Sequence, residues 1–317
     1  MEKAGQAGLP ADLALLVMAN VIWGSTDAAA KYALSEMTPG SLLWMRLSIA
    51  LLAFAPALWL RRNEIPAGFR GLAPFLALGA CGFFLDFLLV YHGLKLAPAS
   101  HATAFRVSEV LAIVILSALI LREKVGWRAL LGLVLGVLGV VLVLGLDFKN
   151  LALYRSGARL GDLLIIAGIC VESLYTVIGK RVLQSTSPLV ATGLAVFFGW
   201  ALVTIFLGIP ASRELAAHPP SPGAMLACLY LGLIALSLVY WIYYRVLSRR
   251  DSHRVAIAIM IQPVVGIPLA AVLFHEPMTR QFLSGAALIA LGVYFALAVG
   301  TKVPRASPMP DPSTPIS

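Results

Sequence analysis

The chain has 317 residues, of which 60% are hydrophobic and only 12% charged, and its mean hydropathy is +0.90. Soluble domains carry about 25% charged residues, so this composition excludes a water-soluble fold, and lipid must solvate most of the chain. The formal net charge of +9 does not signal nucleic-acid binding, because the basic residues fall in short segments between apolar stretches and form no single basic face.

Ten apolar stretches follow one another, at roughly 12–34, 39–60, 71–92, 98–121, 126–146, 161–183, 188–209, 223–247, 252–274 and 280–300. Each approaches the ~20 residues a helix needs to cross hydrocarbon. The expected fold is an all-α membrane protein with ten transmembrane helices. Residues 1–11 precede the first stretch, which carries Trp23 and Asp27, lacks a small-residue cleavage site and reads as a retained span. Within it Asn20, Trp23, Gly24, Asp27 and Lys31 share one helical face, the face expected to line a cavity. The second stretch carries Arg46, the third Asp86 and Tyr91, and the fourth places Thr103, Arg106 and Glu109 at steps of three. Gly132, Gly136 and Gly139 mark the fifth as a close-packing helix that could also serve a homodimer. After an external linker at 147–160, the sixth stretch repeats the stripe with Gly168, Glu172, Tyr175 and Gly179, the eighth supplies Tyr240, and the ninth supplies Gln262. The tail at 301–317 holds five prolines and reads as disordered. Cys81, Cys170 and Cys228 are isolated and lack metal-ligand spacing, so buried packing is expected of them, with no metal and no cofactor.

The ten stretches fall into two halves, 12–146 and 161–300. Shifting Leu76–Leu144 by 153 positions lays it without a gap on Leu229–Leu297, matching Gly79 with Gly232, Tyr91 with Tyr244, Glu123 with Glu276, Gly132 with Gly285 and Gly139 with Gly292. An odd number of spans per half inverts the second relative to the first, so two inverted five-helix repeats are expected. With the N-terminus in the cytoplasm, inside segments hold fifteen Lys and Arg and outside segments seven, which predicts both termini on the cytoplasmic face of the cell membrane.

Several short motifs recur in order across both halves: Trp23-Gly24-Ser25 with Lys31, Arg46, Leu121-Arg122-Glu123-Lys124, Gly161-Asp162-Leu163-Leu164, Gln262-Pro263 and His275-Glu276-Pro277. In these the chain, over about residues 12 to 300, resembles the drug/metabolite transporter superfamily in its ten-span EamA-type branch. That resemblance implies two inverted repeats around a central cavity and secondary transport of small metabolites, often export of amino acids or related compounds. Two departures stand out. The repeat register sets Glu109-Val110 opposite Gln262-Pro263, where the family usually has a proline in the fourth span as well. Asp27 stands where the family commonly has an apolar or aromatic residue. Both departures bring carboxylates to the place of the family's cavity.

Ionisable groups inside a membrane helix are costly and need a partner, water or a function. Arg106 and Glu109 could form a mutual i, i+3 ion pair, and Asp27 could pair with Lys31 or Arg46. Asp86 could reach interfacial water near Lys95. Glu172 has no cation within one turn of its own segment. A carboxylate in a low-dielectric cavity holds its proton more tightly, which makes Glu109 and Glu172 the candidates for proton coupling. The expected substrate site comprises Asn20, Trp23, Asp27, Arg46, Asp86, Thr103, Arg106, Glu109, Glu172, Tyr175, Tyr240 and Gln262. Tyr91, Trp241 and other aromatics could add π-faces for an ammonium group, whereas Tyr243, Tyr244 and Trp44 near span ends read as an interfacial belt. Glu123 and Glu276 read as latches or helix-end caps.

The reading is a secondary transporter, an exporter or exchanger that could be proton-coupled, for a small amine-bearing metabolite such as an amino acid. The alternative is an organic anion or sugar-like substrate bound through Arg46 and Arg106. An intramembrane enzyme is disfavoured: His275-Glu276 has no second histidine at the metal-site spacing, and there is no GxSxG and no Walker sequence. A channel is disfavoured by intramembrane charges that do not repeat, Glu109 facing Gln262 and Asp86 facing Val239 in register.

Overall fold

The computed structural model describes residues 9–106, 108–121, 127–144, 157–249 and 258–297. The expectations placed on the tail, on residues 147–156 and on Arg122, Glu123 and Lys124 lie outside them. All regular structure among the described residues is helical, with no strand. Five helices are long and apolar enough to cross a membrane: α3 (Pro39–Leu60), α4 (Gly68–Leu96), α8 (Gly157–Val182), α9 (Pro188–Ala217) and α10 (Pro222–Leu247). The other segments are α1 (Leu9–Gly24), α2 (Thr26–Ala33), α5 (Ala99–Arg106), α6 (Glu109–Leu121), α7 (Trp127–Leu144), α11 (Ile261–Phe274) and α12 (Arg280–Leu297).

The first and fourth stretches are therefore interrupted helices, each broken beside the charges they carry. At the first break the hydroxyls of Ser25 and Thr26 donate to the carbonyls of Ile22 and Trp23 at 2.8 and 2.7 Å, and Tyr230 donates to Ile22 O at 3.0 Å. These side chains satisfy carbonyls that a continuous helix would use, the competition that makes Ser and Thr helix interrupters. Gly24 has no room for a side chain: a Cβ there would meet Gln262 O at 2.8 Å, so the break lies directly on the backbone of α11. At the second break, Ser108 Oγ and Ser108 N both bond back to Phe105 O.

Helices start where the sequence supplies caps. Thr38 Oγ1 accepts from Ser41 N with Pro39 at the first turn of α3, and Ser221 does the same for Ala224 N and Pro222 in α10. Carboxylates from neighbouring elements complete both ends: Glu214 accepts from Thr38 N at 2.8 Å and Glu36 from Ser221 N at 2.8 Å.

Both α4 and α10 contain a π-helical stretch, Ala80–Leu85 and Tyr230–Leu238. In α10 the Ser237 hydroxyl donates to Gly232 O, five residues back, at 2.8 Å, which holds the widened turn closed. Such stretches add a residue to the helical count and turn the face that follows.

The main apolar core among the described residues joins Leu42, Leu43 and Leu47 of α3, Phe83 and Phe87 of α4, Ile165 of α8 and Val190 of α9. Around it α9 packs on α3 and the first half of α4, α8 on the second half of α4, and α12 on α7. The α7–α12 contact is backbone to backbone: a Cβ on Gly139 would meet Gly285 O at 2.7 Å, and one on Gly292 would meet Gly132 O at 2.6 Å. The outer surface is apolar, with Ile205 75% exposed and Val264 74% exposed, which suits acyl chains and not water. Of the three cysteines, all free, only Cys228 is buried; Cys170 is exposed, against the expectation of buried packing, because it lies on a face of α8 turned away from the core.

Candidate functional site

The broken ends of the first and fourth stretches meet α4, α8, α10 and α11 at a central cavity. Its lining includes Trp23, Asp27, Arg46, Arg106, Glu109, Glu172, Tyr175, Tyr240 and Gln262, nine of the twelve residues expected from sequence. The free space among them is about 30 Å3, room for about one or two waters.

Arg106 fills the centre. Its Nη1 donates to Glu172 Oε2 at 2.7 Å, while Nε and Nη2 approach the two oxygens of Asp27 at 3.3 to 3.4 Å. Tyr240 donates its hydroxyl to the other oxygen of Glu172 at 2.8 Å, and Thr103 reaches Asp27 Oδ2 at 3.4 Å. The expected partners are thus replaced. Arg106 pairs across helices with Asp27 and Glu172 and not with Glu109 on the next turn. Lys31, offered as a partner for Asp27, binds Glu276 instead. The reason is the break after Arg106, which removes the regular i, i+3 relation to Glu109.

Arg46 makes no ion pair among the described residues. It donates to Leu231 O at 3.1 Å and to the Tyr91 hydroxyl, and its guanidinium lies 4.1 Å from the centre of the Phe87 ring, a desolvated cation–π contact. Glu109 also lines the cavity and is 8% exposed. Gln262 donates to Asn20 Oδ1 at 2.9 Å, and its Oε1 is buried without a partner among the described residues.

Three expected site residues stand behind the lining. Asn20 is fully buried and orients Gln262. Thr103 supports Asp27. Asp86 is fully buried, has no hydrogen-bond partner among the described residues, and faces α8 where Gly168 leaves room for it.

The aromatic wall is larger than sequence reasoning allowed. Tyr243 lines the cavity, its ring 5.2 Å from Trp23, and Tyr244 is fully buried and stacked 5.0 Å from Tyr175. Both had been expected at the interface from their place near a span end. Trp23 is fixed by an indole hydrogen bond to Ala235 O at 3.1 Å, a carbonyl in the π-helical stretch of α10. Phe87, Thr26 and Thr176 also line the space; the i, i+1 pairs Thr26/Asp27 and Tyr175/Thr176 were open to inspection in the sequence, but Phe87 carries no signal there.

Away from the lining, a carboxylate joins the α11–α12 connection to α2 and α5. Glu276, on the α11–α12 connection, accepts from Lys31 Nζ at 3.0 Å and from the backbone of Ala99 and Ser100 at 2.8 and 2.9 Å. It therefore caps the first turn of α5, the cap being one of the two roles expected of it, and ties that turn to α2. Beside it His101 Nδ1 lies 3.0 Å from Asp162 Oδ1 and stacks on Phe282. Burial works to raise the pKa of Glu276, but the hydrogen bonds from Ser100, Ala99 and Lys31 outweigh it and hold the carboxyl below its ordinary value.

A family model for the EamA-like transporter family matches the chain twice, over residues 11–145 and 159–298. The chain belongs to the EamA-like transporter family. Membership makes it a membrane transporter of small molecules and not an enzyme. Among proteins similar to this EamA-like chain, one from Salmonella typhimurium named "Probable amino-acid metabolite efflux pump" is 28% identical over 89% of this chain and 92% of its own. Its namesake from Escherichia coli is 26% identical with the same coverage. An uncharacterized transporter from Archaeoglobus fulgidus is 24% identical over 89% of this chain and 97% of its own. A solved crystal structure shares the fold at a TM-score of 0.63, with 20% identity, across 90% of this chain and 97% of that one.

Proposed function

We propose that this EamA-like transporter is a secondary active exporter or exchanger of a small, amine-bearing metabolite, with an amino acid or close derivative as the substrate class. The observation that carries the reading is the charge of the cavity: three carboxylates, Asp27, Glu109 and Glu172, line it with two guanidiniums, and aromatic rings surround them. A buried excess of acceptors selects a cation, and π-faces add to it. Arg46, with no carboxylate partner among the described residues, is placed to receive a substrate carboxylate, so a zwitterion uses both signs. The same arginine favours the second reading, an organic anion. The printed names of the Salmonella and Escherichia relatives agree with the first.

The fold behind the activity is ten spans in two inverted repeats. In support, the family model matches each half once, the π-helical stretches of α4 and α10 overlap under the 153-residue shift, and the Gly139–Gly285 and Gly132–Gly292 contacts exchange under it. Rocking of one half against the other would expose the site alternately. We place the protein in the cell membrane with both termini cytoplasmic, on the asymmetry of Lys and Arg. The glycine helices α7 and α12 are occupied by each other, which leaves any homodimer to other surfaces.

Glu109 and Glu172 carry the proton in this reading, Glu172 from within the Arg106 cluster and Glu109 from beside it. The test is flux into proteoliposomes at varied pH for Glu109→Gln and Glu172→Gln. Both variants should insert and accumulate normally while their transport loses its pH dependence. Variants that fail to accumulate would assign the two acids to structure.

A further inference from the structure

The middle of the cavity is taken up by a side chain of the protein itself, Arg106, which lines it together with Asp27, Glu172 and Gln262. The Arg106 guanidinium makes a fork toward both oxygens of Asp27 and a short bond to Glu172, the geometry in which a planar guanidinium meets carboxylates. Asp27 is on α2 and Glu172 on α8, one in each half of the chain, so the bridge ties the halves together. Arg106 is the last residue of α5, at the break before Ser108, where a side chain can swing without unwinding a continuous helix. Alongside the cluster, Gln262 turns a buried amide oxygen to the cavity with no donor to satisfy it among the described residues; a buried acceptor of this kind is costly unless a ligand supplies the donor.

We propose that Asp27, Glu172 and Gln262 form a binding site for a guanidinium or primary ammonium group, and that Arg106 is its tethered resident, displaced when the substrate's cationic group takes its place. The exchange conserves charge at the two carboxylates: one cation leaves them as another arrives, so neither carboxylate is left unpaired. With Arg106 in place the halves are bridged across the cavity by protein side chains. With substrate bound, the bridge runs through the substrate, and Arg106 is free to move with α5. The proposal rests on the amine-bearing reading for its physiological ligand but not for its test.

The test uses N-ethylguanidinium, the truncated side chain of arginine, with neutral N-ethylurea as the isosteric control, in thermal unfolding of the purified full chain. Arg106→Ala, with the tether removed, should gain several degrees of Tm from millimolar N-ethylguanidinium and nothing from N-ethylurea. The unaltered protein should gain far less, and Asp27→Asn combined with Arg106→Ala should abolish the gain. Arg106→Gln serves if the alanine variant does not accumulate, and N-ethylguanidinium should bind it at least tenfold more tightly than it binds the unaltered chain. Equal stabilisation of variant and unaltered protein, or none in the variants, overturns the proposal. So does failure of both variants to accumulate even when produced with the probe present, which would make Arg106 a fixed brace. If the protein instead carries only anions or sugars while the alanine variant still takes N-ethylguanidinium, the amine-bearing reading fails and the resident-cation site stands.

Discussion

Replacing Glu276 with glutamine tests whether its carboxylate latches α2 and α5 to the α11–α12 connection. The carboxylate receives Lys31 Nζ at 3.0 Å and two backbone amides at 2.8 and 2.9 Å, with its side chain only 8% exposed. Hydrogen bonds to a charged group contribute about 1.5 to 3 kcal/mol each, and they do not add in full when they share an acceptor. Glutamine keeps one acceptor oxygen but turns an NH2 toward donors, so the loss should be about 2 to 4 kcal/mol. For a chain of this size that corresponds to a fall in Tm of roughly 3 to 6 °C, read by thermal unfolding of the detergent-purified protein at pH 7. Lys31→Gln should cost clearly less, since it leaves both backbone amides capped. The pH dependence has a definite sign. The folded pKa of Glu276 is depressed, so its contribution is complete above the ordinary carboxylate value near 4.5 and is lost as pH falls through the lower folded value. The Tm gap between Glu276→Gln and the unaltered protein should therefore close on acidification. A gap of a degree or less at pH 7, or one that widens at low pH, would refute the latch.

Three further outcomes are expected. Arg46→Lys should weaken binding of a zwitterionic substrate about tenfold, as the loss of a bidentate carboxylate contact implies, and leave a simple amine unaffected; equal losses for both ligands would remove Arg46 from substrate recognition. Gly139→Val places a Cβ against Gly285 O, 2.7 Å away, and should lower membrane abundance with a cost of about 1 to 3 kcal/mol, whereas Gly157→Ala, whose nearest neighbour is at 3.9 Å, should not; equal abundance would mean that α7 and α12 do not pack as described. Asp86→Asn should leave Tm unchanged or raised, because the carboxyl has no partner to lose among the described residues; collapse of the folded protein would show that its charge is needed.

How far the sequence led depends on the range of the interaction. Trp23 and Asp27 were legible because they fall one helical turn apart in sequence, and both line the cavity although the helix is interrupted between them at Ser25. Glu172 and Tyr240 were legible as mid-span polar groups, though not as partners, since their contact joins residues 68 apart. Arg106 was recognised, but the one partner offered for it, Glu109, is not its partner in the structure: that pairing supposes an intact helix, and the break at Ser108 is set by hydroxyl bonding that apolar patterning does not register. Tyr243 was misplaced for a related reason. The π-helical stretch at Tyr230–Leu238 shifts the helical count, and Tyr243 turns inward toward Trp23. The glycine matches between halves were legible as repeats, yet their pairing, Gly139 with Gly285 and Gly132 with Gly292, needed the fold.

The central claim is carrier-mediated movement of an amine-bearing metabolite, and the most direct measurement is flux of a panel of amino acids, amides, polyamines and organic anions into proteoliposomes, with and without a pH gradient. Saturable flux of an amine-bearing compound that responds to the gradient is the predicted result. Flux of organic anions or sugars alone, indifferent to every amine in the panel, would contradict the account.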